Sequence, residues 1–181
     1  DVCSSDLYIT TGTDNVAIGV YPLSASGGVT GSSNIGIGTA ALGGTTSGSY
    51  NVAVGTQALV SNTTASNNTA VGYQAAYSGS TAANITAMGF QSLYNNTGDY
   101  NTAYGFYSLL SNTSGTYNNA FGANALRANT TGAYNTSVGD GSLRSNTTAS
   151  NNTAVGYQAA YSNTTGTALT AVGDRKSTPL N

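Results

Sequence analysis

The chain has 181 residues, four basic and six acidic side chains, a formal net charge of −2, and no histidine or tryptophan. Charged residues make up 6% of it, against about 25% in ordinary globular proteins, and glutamate is absent. Acid–base, nucleophilic and metal chemistry need clustered His, Glu, Asp, Lys or Cys, and a nucleic-acid groove needs many cations. No catalytic, cofactor-binding or metal-binding residue is therefore assigned. Neither enzyme activity nor a nucleic-acid partner is expected.

The ends differ from the middle. Residues 1–7, Asp1-Val2-Cys3-Ser4-Ser5-Asp6-Leu7, resemble the translation of a common sequencing adapter. Residues 174–181, Asp174-Arg175-Lys176-Ser177-Thr178-Pro179-Leu180-Asn181, resemble the reverse complement of one, with Pro179 where the plain translation gives Arg. Both ends are read as scars on a fragment of a longer gene and set aside, and both are expected to lie outside the repeat packing. Cys3 then carries no information on redox compartment. No signal peptide or transmembrane run is visible, and no direct membrane contact is expected of this segment.

Residues 8–173 are one repeat. From the N-terminus the motif reads Asn15–Gly19, Asn34–Gly38, Asn51–Gly55, Asn68–Gly72 and Ile85–Gly89. It continues as Asn101–Gly105, Asn118–Gly122, Asn135–Gly139, Asn152–Gly156 and Leu169–Gly173. The anchor glycines are 19, 17, 17, 17, 16, 17, 17, 17 and 17 residues apart. So strict a period means that each unit stacks on its neighbours in the same way.

The first half of each unit, Asn-x-Ala-Val-Gly, alternates small and larger residues and predicts a strand of about five residues. The second half, typified by Thr56-Gln-Ala-Leu-Val60 and Phe90-Gln-Ser-Leu-Tyr94, offers a weaker second strand. A polar turn follows, such as Ser61-Asn-Thr-Thr or Ser111-Asn-Thr-Ser-Gly, where Asn and Gly suit positive φ. Helix is disfavoured by Gly, Asn, Thr and Val. The fold class predicted is all-β: a parallel β-solenoid, or β-roll, of about ten 17-residue coils, with strands about 4.8 Å apart. The repeat Asn, present in eight of ten units, is expected to form a ladder of stacked amides. The expected core is thin. It holds one side chain before the glycine, such as Val54 or Val71, and one Leu four residues after it, such as Leu42, Leu59, Leu93, Leu126 or Leu143. Association of rods would bury more.

The motif resembles the YadA-like head of trimeric autotransporter adhesins, whose hallmark Asn/Ser-Val-Ala-Ile-Gly is matched almost letter for letter by Asn15–Gly19 and Asn51–Gly55. The resemblance covers residues 14–173 and implies a left-handed, trimeric β-roll. Heads of that family run on shorter coils. The Asn-Thr-Ala-Val-Gly-Tyr-Gln-Ala repeats are also similar to those of phage tail fibres. These resemblances imply a non-catalytic structural or adhesive fibre segment, either a phage tail fibre or a bacterial surface adhesin head. They place it outside the cell, on a bacterial surface or a virion, as a homotrimer meeting a cell-surface glycan or protein receptor. The alternatives are an ice-binding solenoid, a homopolymeric extracellular filament and a polysaccharide-degrading tailspike.

Aromatic residues recur at fixed places. Tyr73, Phe90, Phe106 and Tyr157 follow the anchor glycine; Tyr77, Tyr94 and Tyr161 follow the Leu position; Tyr50, Tyr100, Tyr117 and Tyr134 precede the repeat Asn. Such rows pack chain against chain or contact a ligand. Arg127 and Arg144 occupy one position of adjacent coils, where an anion or glycan carboxylate would bridge them, unless both simply face solvent. Asp99 and Asp140 stand at different repeat positions and make a poor carboxylate pair for glycoside hydrolysis. Ten Asn-x-Ser/Thr triplets, at Asn62, Asn67, Asn84, Asn95, Asn112, Asn129, Asn135, Asn146, Asn151 and Asn163, are attributed to repetition, not to glycosylation. The paired turn threonines are adjacent, so both hydroxyls cannot face one flat ice-binding side.

Overall fold

The computed structural model describes residues 10–174. The adapter-like segment 1–7 and all but Asp174 of 174–181 lie outside the described residues. The described chain holds ten three-residue strands: β1 (Val16–Ile18), β2 (Ile35–Ile37), β3 (Val52–Val54), β4 (Thr69–Val71) and β5 (Thr86–Met88), then β6 (Thr102–Tyr104), β7 (Asn119–Phe121), β8 (Thr136–Val138), β9 (Thr153–Val155) and β10 (Thr170–Val172). They form a single parallel sheet in sequence order. The register carries each repeat position onto its equivalent: Val52 faces Thr69, Ala53 faces Ala70, and Val54 faces Val71. This is the β-solenoid that the period predicts, and the equivalent glycines lie one above another.

The anchor glycine sets the stacking. Gly72 has φ +135°, a conformation that side chains resist. A Cβ there would meet the carbonyl oxygen of Gly89 at 2.5 Å. Both the torsion and the backbone of the next coil therefore demand glycine. The two irregular spacings fall away from the strands. The longer first coil carries its extra residues in the turn around Gly28, whose N–H donates to the Ala25 carbonyl at 2.9 Å. The shorter coil runs Asn96-Thr97-Gly98, where its successor runs Asn112-Thr113-Ser114-Gly115, so it lacks one exposed turn residue.

Two expectations are corrected. The second half of the unit is not a strand. Ala58 and Leu59 are both fully buried, whereas neighbours in a strand point to opposite faces. Gln57 and Leu59 have φ of 59° and 51°, and this alternation of left-handed residues curls the chain. Tyr50, before the repeat Asn, is left-handed as well, at φ 58°. Positive φ thus belongs to these three rows and the anchor glycine, not to the asparagines of the polar turn.

The core also differs in composition. In β3 and β4 the middle Ala is buried, while Val54 and Val71 point outward and are partly covered. The interior is built from Ala53, Ala70, Ala87 and Ala103 on one wall. Ala58, Ala75 and Ala125 lie opposite, and Leu42, Leu59, Leu93, Leu109, Leu126 and Leu143 fill the middle. A coil this narrow has room for one large side chain, so the strand contributes only a methyl.

Candidate functional site

Polar ladders run inside the rod. The Asn51 side chain accepts the Asn68 backbone N–H through Oδ1 at 3.0 Å and donates through Nδ2 to the Ala65 carbonyl at 2.9 Å. The same arrangement recurs at Asn34, Asn68, Asn118 and Asn135. The repeat Asn therefore ties side chain to backbone between coils, with amide-to-amide contacts such as Asn135 Nδ2 to Asn118 Oδ1, 3.0 Å, added at some levels. A second ladder was hidden in the turns. Asn112 donates to Asn96, Asn129 to Asn112, Asn146 to Asn129 and Asn163 to Asn146, at 2.6 to 3.0 Å. The signal for it was present, since these asparagines share one repeat position. Their turn-like surroundings obscured it.

These ladders remove several candidate surfaces. Asn62, Asn112, Asn129, Asn135 and Asn146 are fully buried, so five of the ten glycosylation-like triplets face the interior. The first threonine of each turn pair is also tied down: Thr113 donates its hydroxyl to the Thr130 carbonyl, and Thr130 to Thr147, both at 3.0 Å. Asp99 accepts the Ala83 N–H at 2.8 Å, a place that Ser66 fills for Ser49 two repeats earlier. It is a structural acceptor.

The aromatic rows stack at the spacing of the coils. Tyr73 and Phe90 have ring centroids 5.3 Å apart, and Phe90 and Phe106 are 5.4 Å apart. Tyr77 stacks on Tyr94 at 4.9 Å. Tyr100, Tyr117 and Tyr134 form a column at 4.8 and 5.0 Å. Rings stacked along the rod cover one another's faces and turn their edges and hydroxyls outward. Tyr157 stands outside these columns and accepts a hydrogen bond from Gln158 at 3.1 Å. Sequence reading missed Tyr104 and Phe121, which stack at 5.3 Å on the outer face of β6 and β7. It also missed Tyr107, whose ring lies 4.0 Å from that of Phe106. The first miss follows from taking the residue before the glycine as core.

One of the two outward rows of the sheet is apolar along its length. Ile18, Ile37, Val54, Val71, Met88, Tyr104, Phe121, Val138, Val155 and Val172 form one continuous row. Beside it runs a row of Val, Ile, Thr and one Asn, and none of the ten strands holds a charged residue. With strands about 4.8 Å apart, this face is about 43 Å long and about 10 Å wide, on the order of 430 Å².

Arg127 and Arg144 share a row with Tyr77, Tyr94, Leu110 and Tyr161. The guanidinium carbon of Arg127 lies 5.1 Å from the Tyr107 ring centroid. That of Arg144 lies 5.4 Å from the Tyr161 ring, and its Nη1 donates to the Tyr161 hydroxyl. Among the described residues, no group of three or more His, Cys, Asp or Glu is placed to hold a metal ion, and no helix is long and apolar enough to cross a membrane. No protein-family model, curated protein or solved structure matches the chain.

Proposed function

We propose that the chain is a non-catalytic structural and adhesive segment of an extracellular fibre, built as a homotrimer of parallel rods. The observation that carries this reading is the uncharged outer face of the ten-stranded sheet. A monomer's largest apolar patch is about 300–600 Å², and a stable interface covers about 800 Å² on each partner. The strand face, its threonine row included, covers an area within the first range, and the stacked aromatics Tyr73, Phe90 and Phe106 extend it toward the second. Closed cyclic symmetry would bury the same face of every rod. The number three and the placement on a bacterial surface or virion come from the resemblance of the repeat to trimeric adhesin heads and tail fibres.

Sedimentation equilibrium tests this reading. Three chains of 18.0 kDa give about 54 kDa. Phe121→Lys, which sets a charge in the middle of the outer row, should yield monomers that keep the β signature. A wild-type chain of monomeric or dimeric mass would rule the assembly out.

A further inference from the structure

We propose that the cleft between Arg127 and Arg144 binds an acidic saccharide, with one carboxylate or sulfate group held between the two guanidinium groups. The proposal deepens the adhesive half of the reading above and rests on it for the source of the saccharide. The cleft has a volume of about 290 Å³ and is lined by Leu110, Ser111, Arg127, Ala128, Arg144 and Ser145, none of which belongs to a strand.

Four observations converge on this cleft. The first is charge. Elsewhere the rod sets like on like where stacking helps: amides on amides, rings on rings. Here it sets its only two described cations on neighbouring coils, a juxtaposition that repels. No acidic side chain among the described residues forms an ion pair with either. The second is placement. Arg127 lies against Tyr107 of the preceding coil and Arg144 against Tyr161 of the following one, and both arginines line the same cleft.

The third is donor chemistry. Two planar guanidinium groups offer paired N–H donors that match the oxygens of a carboxylate or sulfate, and the hydroxyls of Ser111 and Ser145 add groups suited to a polyol. The volume lies at the small end of ligand sites, about 300–1,000 Å³, which suits one sugar ring. The fourth removes strand addition by a peptide. That mode needs a free backbone edge, and here the edge is used. Ser111 N–H donates to the Arg127 carbonyl at 3.1 Å, Ala128 to Arg144 at 3.0 Å, and Ser145 to Tyr161 at 3.1 Å. Recognition is left to side chains.

Binding of the full chain to immobilised dextran sulfate, polygalacturonate, uncharged dextran and polyglutamate tests the proposal. The chain carries a net charge of −2, so unspecific electrostatics repel a polyanion and work against binding. The expected result is binding to dextran sulfate and polygalacturonate but not to dextran, weakening as salt is raised. R127Q/R144Q should lower the affinity at least tenfold with an unchanged circular dichroism spectrum. Ser145→Glu, which puts a carboxylate in the cleft and leaves both arginines, should block binding independently. Equal binding by R127Q/R144Q or by Ser145→Glu would overturn the site. So would equal binding to dextran, tighter binding to polyglutamate, or no binding to either acidic polymer at millimolar sugar. Masses measured on the same samples separate the two readings: a monomer that still binds through the arginines refutes the assembly and upholds the cleft.

Discussion

Asn62 Oδ1 is buried without a hydrogen-bond partner, and the next coil explains why. In the inner turn ladder each Oδ1 receives the amide of the following Asn, as Asn112 receives Asn129. Above Asn62 the equivalent residue is Gly79, which has nothing to donate. A Cβ on Gly79 would come within 3.2 Å of the Asn96 carbonyl oxygen, close but at a position where six other coils carry asparagine. Gly79→Asn should therefore complete the ladder and raise stability by about 1–3 kcal/mol, read as a higher unfolding midpoint; a lower midpoint would show that the ladder is not what the site lacks. The anchor glycines predict the opposite. Gly105 has φ +134° and would press a Cβ against the Gly122 backbone at 2.6 Å. Gly105→Ala should cost at least about 3 kcal/mol, through strain and lost stacking, and a near-neutral result in chemical denaturation would contradict the packing described.

At the scale of the element, the coil is held by one leucine and by neighbours, not by local preference. Gln57, Leu59 and Tyr50 sit in left-handed conformations that disfavour L-residues by about 1 kcal/mol or more each. A single coil has no means to offset this, while a stack has backbone ladders on both sides and a leucine column interrupted only at Ala76 and Ala160. Leu109→Ala should cost about 2–5 kcal/mol. Val71→Ala, on the outer face, should cost under about 1 kcal/mol in the isolated rod. Equal losses at the two sites would place the valine row back in the core. The period, the strand and the glycine were legible because each is a local pattern repeated ten times. The inward and outward sides of the strand were less so, since alternation defines two faces without saying which is inside. The better signal was uniformity: the inner position is nearly always Ala, whereas the outer one varies among Val, Ile, Met, Tyr and Phe. The left-handed rows were barely legible, because Gln, Leu and Tyr have no local reason to adopt them, and only Asp14, Asn67, Asn84, Asn124, Gly141 and Asn151 in those rows hint at the conformation. Of the candidate site, the arginine pair and the stacked columns of Tyr77, Phe90 and Tyr94 were readable from repeat position alone. Which way each guanidinium leans depends on Tyr107 and Tyr161 and needed coordinates.

On the scale of the whole molecule, the rod divides its labour by side. Its interior is small residues, leucine and asparagine ladders; one long face is uncharged, with an apolar row along it; the turns carry the two described arginines. A rod with so thin a core gains from covering that face with copies of itself, and a net charge of −2 offers little repulsion to prevent it. On the trimer reading, assembly and folding are coupled, so stability should depend on chain concentration. Thermal unfolding of the intact chain at concentrations spanning a hundredfold tests this most directly. The trimer account predicts a midpoint that rises steadily with concentration. A single cooperative transition at the same temperature throughout would contradict it, because the lone rod would then be stable without its partners.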